Sequence, residues 1–146
     1  MPAAAAADVR TGAWSEFGAA AAAIRREVFV EEQRVPAELE LDAWDAVSLH
    51  ALATRDARVL GTGRLLPDGH IGRVAVVASE RGRGIGRLLM QALVAAARRR
   101  GDTLVQLNAQ IGARGFYEGL GFAASGPTYM EAGIEHLPMS MPLPLR

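Results

Sequence analysis

Three glycines at alternate positions, Gly82, Gly84 and Gly86, stand among three arginines, Arg81, Arg83 and Arg87, within RVAVVASERGRGIGRLLMQALV at 73–94. Glycine admits positive φ and lets a ligand approach the main chain closely. A helix N-terminus leaves about four N–H groups unpaired and carries roughly half a positive charge. Where the two features coincide the backbone forms an anion cradle, and diphosphate is the usual guest. Guanidinium groups add bidentate donors that a neutral glycine loop lacks. Two familiar phosphate loops fit poorly. A P-loop needs lysine, and the chain contains none. The dinucleotide fingerprint is spaced GxGxxG, whereas this loop is spaced GxGxG and follows strands that read as antiparallel. The bland alternative is a glycine turn with solvated arginines.

The surrounding pattern supplies elements to position such a loop. Residues 18–33, GAAAAAIRREVFVEEQ, are alanine-rich with Ile24, Val28 and Phe29 at helical spacing, and Pro36 stops them. Alternating stretches at 47–54, 57–66 and 71–78 are joined by short turns, which predicts an antiparallel meander of three strands. From Gly84 the period changes: Ile85, Leu88, Leu89, Ala92, Leu93 and Ala96 form one helical apolar face, ended by RRRG. A strand at 103–108 follows, so strand, helix and strand imply a parallel crossover. A short helix over 111–119 and a proline-rich run of edge strands and turns complete the chain. The expected class is α/β (α+β): a mixed, mostly antiparallel sheet with one parallel pair, flanked by helices.

Composition narrows the class further. A chain of 146 residues, 50% hydrophobic and 22% charged, suits one globular domain over 1–146, with 1–7 as a flexible lead. Zero net charge gives no global attraction to nucleic acid or membrane. The absence of cysteine removes thiolate nucleophiles, disulfides and cysteine-held metal. Neither a signal peptide nor a membrane-spanning run is read, so the expected location is cytoplasmic.

The loop RGRGIG resembles the Arg/Gln-x-x-Gly-x-Gly/Ala signature of the GCN5-related N-acetyltransferases (GNAT), with Arg81, Gly84 and Gly86 in the signature places. Downstream, ARGFYEGLGF is similar to that family's Ala-x-x-Phe-Tyr-x-x-x-Gly-Phe element, carried by Ala113, Phe116, Tyr117, Gly121 and Phe122. Over roughly residues 18–141, IRREVFVEEQRVP, HIGRVAVV, LNAQ and YMEAGIEHLPM resemble the ElaA-like (YjcF-like) subgroup.

The resemblance implies a splayed pair of parallel strands, here 73–78 and 103–108, with acetyl-CoA as co-substrate in the V between them. It implies pantetheine contacts from the main chain around Val74 and Val76, with an N–H near Val76 polarising the thioester carbonyl. The pyrophosphate would lie on Arg81, Gly82, Arg83, Gly84, Ile85 and Gly86, assisted by Arg87. Tyr117 takes the family's general-acid position, protonating the departing thiolate; its alternative is a packing aromatic beside Phe116. Gln110 stands where the family often has Asn, with Asn108 close by. No metal is implied.

On the acceptor side, residues 31–45 hold six acids, Glu31, Glu32, Glu38, Glu40, Asp42 and Asp45, against one arginine. Such a run is ordinarily a solvated surface; alternatively it lines the acceptor entrance and draws in a cationic amine. The base candidates are Glu32, Glu131, His50 and His136, of which Glu32 and His136 join Tyr117 as the expected catalytic residues. The RRR run at 98–100 lacks interleaved aromatics and reads as a favourable helix C-terminus, so no nucleic-acid partner is expected. The expected activity is direct acetyl transfer to an amine, with a small molecule preferred to a protein lysine or N-terminus. The rival is a non-catalytic acyl-CoA-binding or sensing module. A homodimer is among the expected assemblies.

Overall fold

The computed structural model describes residues 7–144. The expected lead over 1–7 therefore falls almost wholly outside the described residues, and Ala7 itself packs against the core. The chain opens with strand β1 (Asp8–Ala13) and helix α1 (Trp14–Arg25). The expected helix at 18–33 thus starts four residues earlier. It also changes character: Arg26–Glu32 continues as a π-helical turn, with Gln33 N–H donating to Val28 O at 3.0 Å. Pro36 follows and opens a four-residue helix, α2 (Ala37–Glu40).

Strands β2 (Leu49–Arg55), β3 (Arg58–Leu65) and β4 (Ile71–Val76) form the expected meander, and β1 adds to its edge, giving the antiparallel order β1-β2-β3-β4. Helix α3 (Ile85–Arg100) crosses to β5 (Leu104–Gln110). After α4 (Arg114–Gly119) come β6 (Ala123–Ala124), β7 (Tyr129–Glu131) and β8 (Ile134–Pro142). These last strands build a second antiparallel sheet on β5, in the order β5-β8-β6 with β7 also on β8. The parallel pair expected between β4 and β5 shrinks to one bridge, His70 to Gln106, beyond which the strands part.

The first sheet is sandwiched, with α1 on one face and α3 on the other. Alternation along β2 makes this possible: Ala51 and Ala53 face the α3 core, while Leu52 packs with Phe17 and Ala21 of α1. From α3, Ile85, Leu89, Met90, Leu93, Ala96 and Ala97 are buried, and Leu88 from the expected face is exposed. Each fully buried Leu contributes on the order of 1.5–3 kcal/mol. Glycines in β3 let the helix approach. A Cβ on Gly61 would meet Ala75 O at 2.8 Å and Leu89 Cδ1 at 3.0 Å, and one on Gly63 would meet Leu93 Cδ1 at 2.9 Å. No helix among the described residues is long and apolar enough to cross a membrane.

Candidate active site

The cleft originates in how β4 and β5 separate. Beyond the His70–Gln106 bridge neither strand pairs with the other, so the facing edges keep backbone donors and acceptors that no ladder uses. An irregularity in β4 helps to open them. Register shifts between Thr62 and Arg64 of β3, so that Arg73 and Val74 lie opposite one residue, and Arg73 takes φ of 51°. This is a β-bulge with its first residue left-handed, a position usually held by glycine.

At one end of this notch lies the glycine loop. Gly82 and Gly84 have φ of 77° and 84°, and a Cβ at either would meet nothing within 4 Å. Their side-chain-free state therefore reflects backbone conformation and leaves an open concavity above it. Gly84 is the N-cap of α3, and no side chain caps that end, whose first turn contains no acid. Unpaired N–H groups and the helix dipole thus meet a bare surface, an arrangement suited to a diphosphate. Arg83 and Arg87 are exposed beside it. Arg81 is engaged elsewhere: its Nε donates to Val76 O at 3.0 Å, and its two terminal nitrogens hold Glu32 at 2.7 Å each.

At the other end is a cavity of about 490 Å³, lined by groups from both sheets. Val74 and Tyr117 reach it, as do Gln110, Asn108, Glu131 and His136. Tyr117 is wedged edge-on between Phe116 and Phe122, at 5.0 and 6.1 Å between ring centres, and burial pushes its phenol pKa up. The phenol therefore holds its proton through neutral pH. Gln110 Nε2 donates to Gln33 Oε1 at 3.0 Å, tying β5 to the end of the π-helical turn. His136 stacks on Tyr129, and its Nδ1 lies 2.8 Å from Ile134 O. A carbonyl only accepts, so Nδ1 carries the hydrogen and Nε2 of the neutral ring keeps its lone pair. The β7–β8 hairpin that places His136 and Glu131 turns through Ala132 and Gly133, at φ of 53° and 76°. A smaller groove of about 340 Å³ beside α3, with Arg87 and Arg98 on its walls, holds none of the acid–base candidates.

Two of the other base candidates are poorly equipped for the role. Hydrogen bonding from Arg81 holds the Glu32 carboxylate below its ordinary pKa, which weakens it as a proton acceptor. His50 is buried, with Nε2 2.9 Å from Asp45 O and Trp14 packed on its ring. Burial, with Arg25 and Arg64 nearby, lowers its pKa. It is a core histidine.

Glu40 and Asp45 are buried, against the solvated reading of the acidic run, and Glu40 does line the cavity, while Asp42 is half-buried beside them. All three belong to a largely buried ion network that no spacing rule reveals. Arg25 Nε holds Glu40 at 2.5 Å and Nη1 holds Asp45 at 2.6 Å. Arg64 holds Asp42 with two bonds, 2.7 and 3.0 Å, and Asp45 at 2.9 Å. Burial alone would raise the Asp45 pKa, but Arg25 and Arg64 outweigh it and hold the group low. These acids anchor α2 and the following turn to the sheet, so their charge is spent internally. The sequence reading also passed over Arg73 and Gln33, which both line the cavity. The signal for Arg73 was present: a charged residue in the middle of IGRVAVVA.

A split sheet, an uncapped glycine loop at the head of a crossover helix and a tyrosine-lined cavity together frame the site. The chain belongs to the acetyltransferase (GNAT) domain family, whose model matches residues 12–143. Within it the chain falls in the ElaA/YjcF-like branch. It is 39% identical to the uncharacterized N-acetyltransferase YjcF of Bacillus subtilis over 120 residues, covering 80% of this chain and 86% of that protein. An acyl-CoA N-acyltransferase from Pseudomonas aeruginosa superposes with a TM-score of 0.84 at 34% identity, covering 93% of this chain and 99% of the other. Escherichia coli ElaA superposes with a TM-score of 0.81 at 28% identity, covering 92% and 99%.

Proposed function

We propose that this protein transfers the acetyl group of acetyl-CoA directly to the amine of a small molecule. The observation that carries the proposal is the notch itself: unpaired edges of β4 and β5 running from an uncapped glycine loop to a cavity holding a phenol and an imidazole. An extended pantetheine arm would add to the β4 edge as a short strand does, through the main chain near Val74 and Val76. Its pyrophosphate would sit over Gly82, Gly84, Ile85 and Gly86, with Arg83 and Arg87 as flanking donors. Arg81 would act indirectly, keeping Val76 O and the loop in place. An N–H near Val76 would stabilise the carbonyl oxygen as charge develops there.

The chemistry balances with groups in the cavity. The amine lone pair forms the new C–N bond, the C–S bond breaks, and the products are the N-acetyl compound and CoA thiol. The amine proton passes to Nε2 of His136, directly or through water, while Tyr117 gives its proton to the thiolate and is reprotonated from solvent. A phenol is a weaker acid than a thiol, so its transfer relies on proximity to the sulfur rather than on acidity. Gln110, held by Gln33, would orient the amide-bearing arm in place of the family's Asn.

Release of CoA from acetyl-CoA in the presence of a panel of primary amines tests the proposal. The chain has no cysteine, so a thiol reagent reads CoA alone. Amine-dependent release supports transfer; acetylation confined to peptide lysines or N-termini would reassign the acceptor to protein.

A further inference from the structure

Arg73 is the unequal member of the arginine cluster beneath the cavity. Arg25 and Arg64 hold their carboxylates at 2.5–3.0 Å, apart from one 3.2 Å bond, and Arg64 grips Asp42 with two nitrogens. Arg73 spends its nitrogens differently. Nε donates to the carbonyl of Glu40 at 3.1 Å and Nη2 to that of Leu39 at a long 3.4 Å, both neutral acceptors. Its one carboxylate contact is a single 3.3 Å approach of Nη2 to Asp42, which Arg64 already holds. Nη1 has no hydrogen-bond partner among the described residues, and Arg73 is one of the residues that line the cavity.

Among the described residues, Arg73 is the one arginine that lines the cavity; of the two carboxylates there, Glu40 is held by Arg25, and Glu131 stands on the β7–β8 hairpin. Burial, together with the neighbouring Arg64 and Arg25 guanidinium groups, holds the Arg73 pKa below the ordinary arginine value. Arg73 also occupies the left-handed position of the β4 bulge, at φ of 51°.

Building on the acetyl-transfer reading, we infer that the acceptor amine carries a carboxylate, which Arg73 receives through Nη1 in the cavity that holds Tyr117 and His136. The substrate class is then a small amino acid rather than a plain alkylamine or polyamine. A charge-assisted contact of this kind supports a preference of about tenfold or more.

The test uses matched acceptors: small amino acids, their carboxamides, and the amines lacking the carboxyl group, with CoA release as the readout. The carboxylate member should be favoured about tenfold or more in kcat/KM, chiefly through KM. Arg73→Gln should bring it down to its carboxamide, and Arg73→Lys should retain part of the preference, both with unchanged KM for acetyl-CoA. In the unaltered protein, the deaminated acid should inhibit competitively against the amino acid, which keeps the test independent of how the variants fold. Equal or better turnover of carboxamides or plain amines overturns the inference and leaves acetyl transfer standing. Binding of acetyl-CoA with no CoA release from any member of the set overturns both.

Discussion

Arg81 grips Glu32 with two parallel bonds, Nη1 to Oε2 and Nη2 to Oε1, both 2.7 Å. The pair joins the end of the π-helical turn to the glycine loop, bridging 49 residues of sequence. Each partner was a candidate for separate chemistry, one on the phosphates and one as a base. Together they form a clamp that fixes the loop from outside.

Glu32→Gln tests that clamp. Both side chains are more than 40% exposed, so the loss in stability should be below about 1 kcal/mol. Turnover should persist with its pH profile intact. Loss of the ascending limb of that profile would return Glu32 to the role of base.

Gly84→Val probes the cradle. Apart from its immediate chain neighbours, nothing lies within 4 Å of the added Cβ, so the main loss to the fold should be the cost of left-handed backbone, about 1–2 kcal/mol. Acetyl-CoA affinity should nevertheless collapse, because the side chain fills the diphosphate's place. Calorimetry on the folded variant is the check; wild-type affinity would refute the cradle.

Tyr117→Phe keeps the packing against Phe116 and Phe122 and removes only the phenol hydroxyl. Turnover should fall on the order of 10²- to 10⁴-fold with acetyl-CoA affinity unchanged. His136→Gln should likewise slow turnover, on the same order, with acetyl-CoA affinity unchanged. Unaltered kinetics in either variant would remove that residue from the proton path.

Arg25→Met should destabilise the fold by about 3–5 kcal/mol, because buried Glu40 loses its arginine and Asp45 keeps only Arg64. The same region governs acid stability. Hydrogen bonding from Arg64 holds Asp42 low, and Arg25 and Arg64 hold Asp45 low against burial. Their contribution is therefore complete above the unfolded carboxylate pKa near 4 and is lost as pH falls through the depressed folded values. His50 adds an earlier phase: burial lowers its folded pKa, so the unfolded chain takes up a proton first as pH drops below 6.5. Thermal midpoints measured against pH should decline in two stages, and His50→Gln should lose the first.

Much of the fold was legible because it rests on local periodicity. The meander, the crossover helix and the glycine loop each follow from alternation, a 3.6-residue repeat or a turn signal. Strand β1 escaped because DVRTGA offers no apolar alternation and pairs only through β2. The π-helical turn escaped because its hydrogen bonds, not its composition, distinguish it. In the site, Tyr117 and the glycines were carried by motif, whereas the Arg81–Glu32 clamp and the Arg25–Asp45–Arg64 network join residues tens of positions apart. Charge alternation in sequence says nothing about such pairings. That is why 31–45 read as a solvated or acceptor-facing run when half of its acids are held by arginines of α1, β3 and β4.

Amine-dependent release of CoA thiol from acetyl-CoA measures acetyl transfer directly. The release rate should rise and saturate with a small primary amine, with stoichiometric N-acetyl product, and should collapse in Tyr117→Phe. Saturable acetyl-CoA binding with no amine-dependent release, across small amines and peptides alike, would contradict it and leave a binding module in its place.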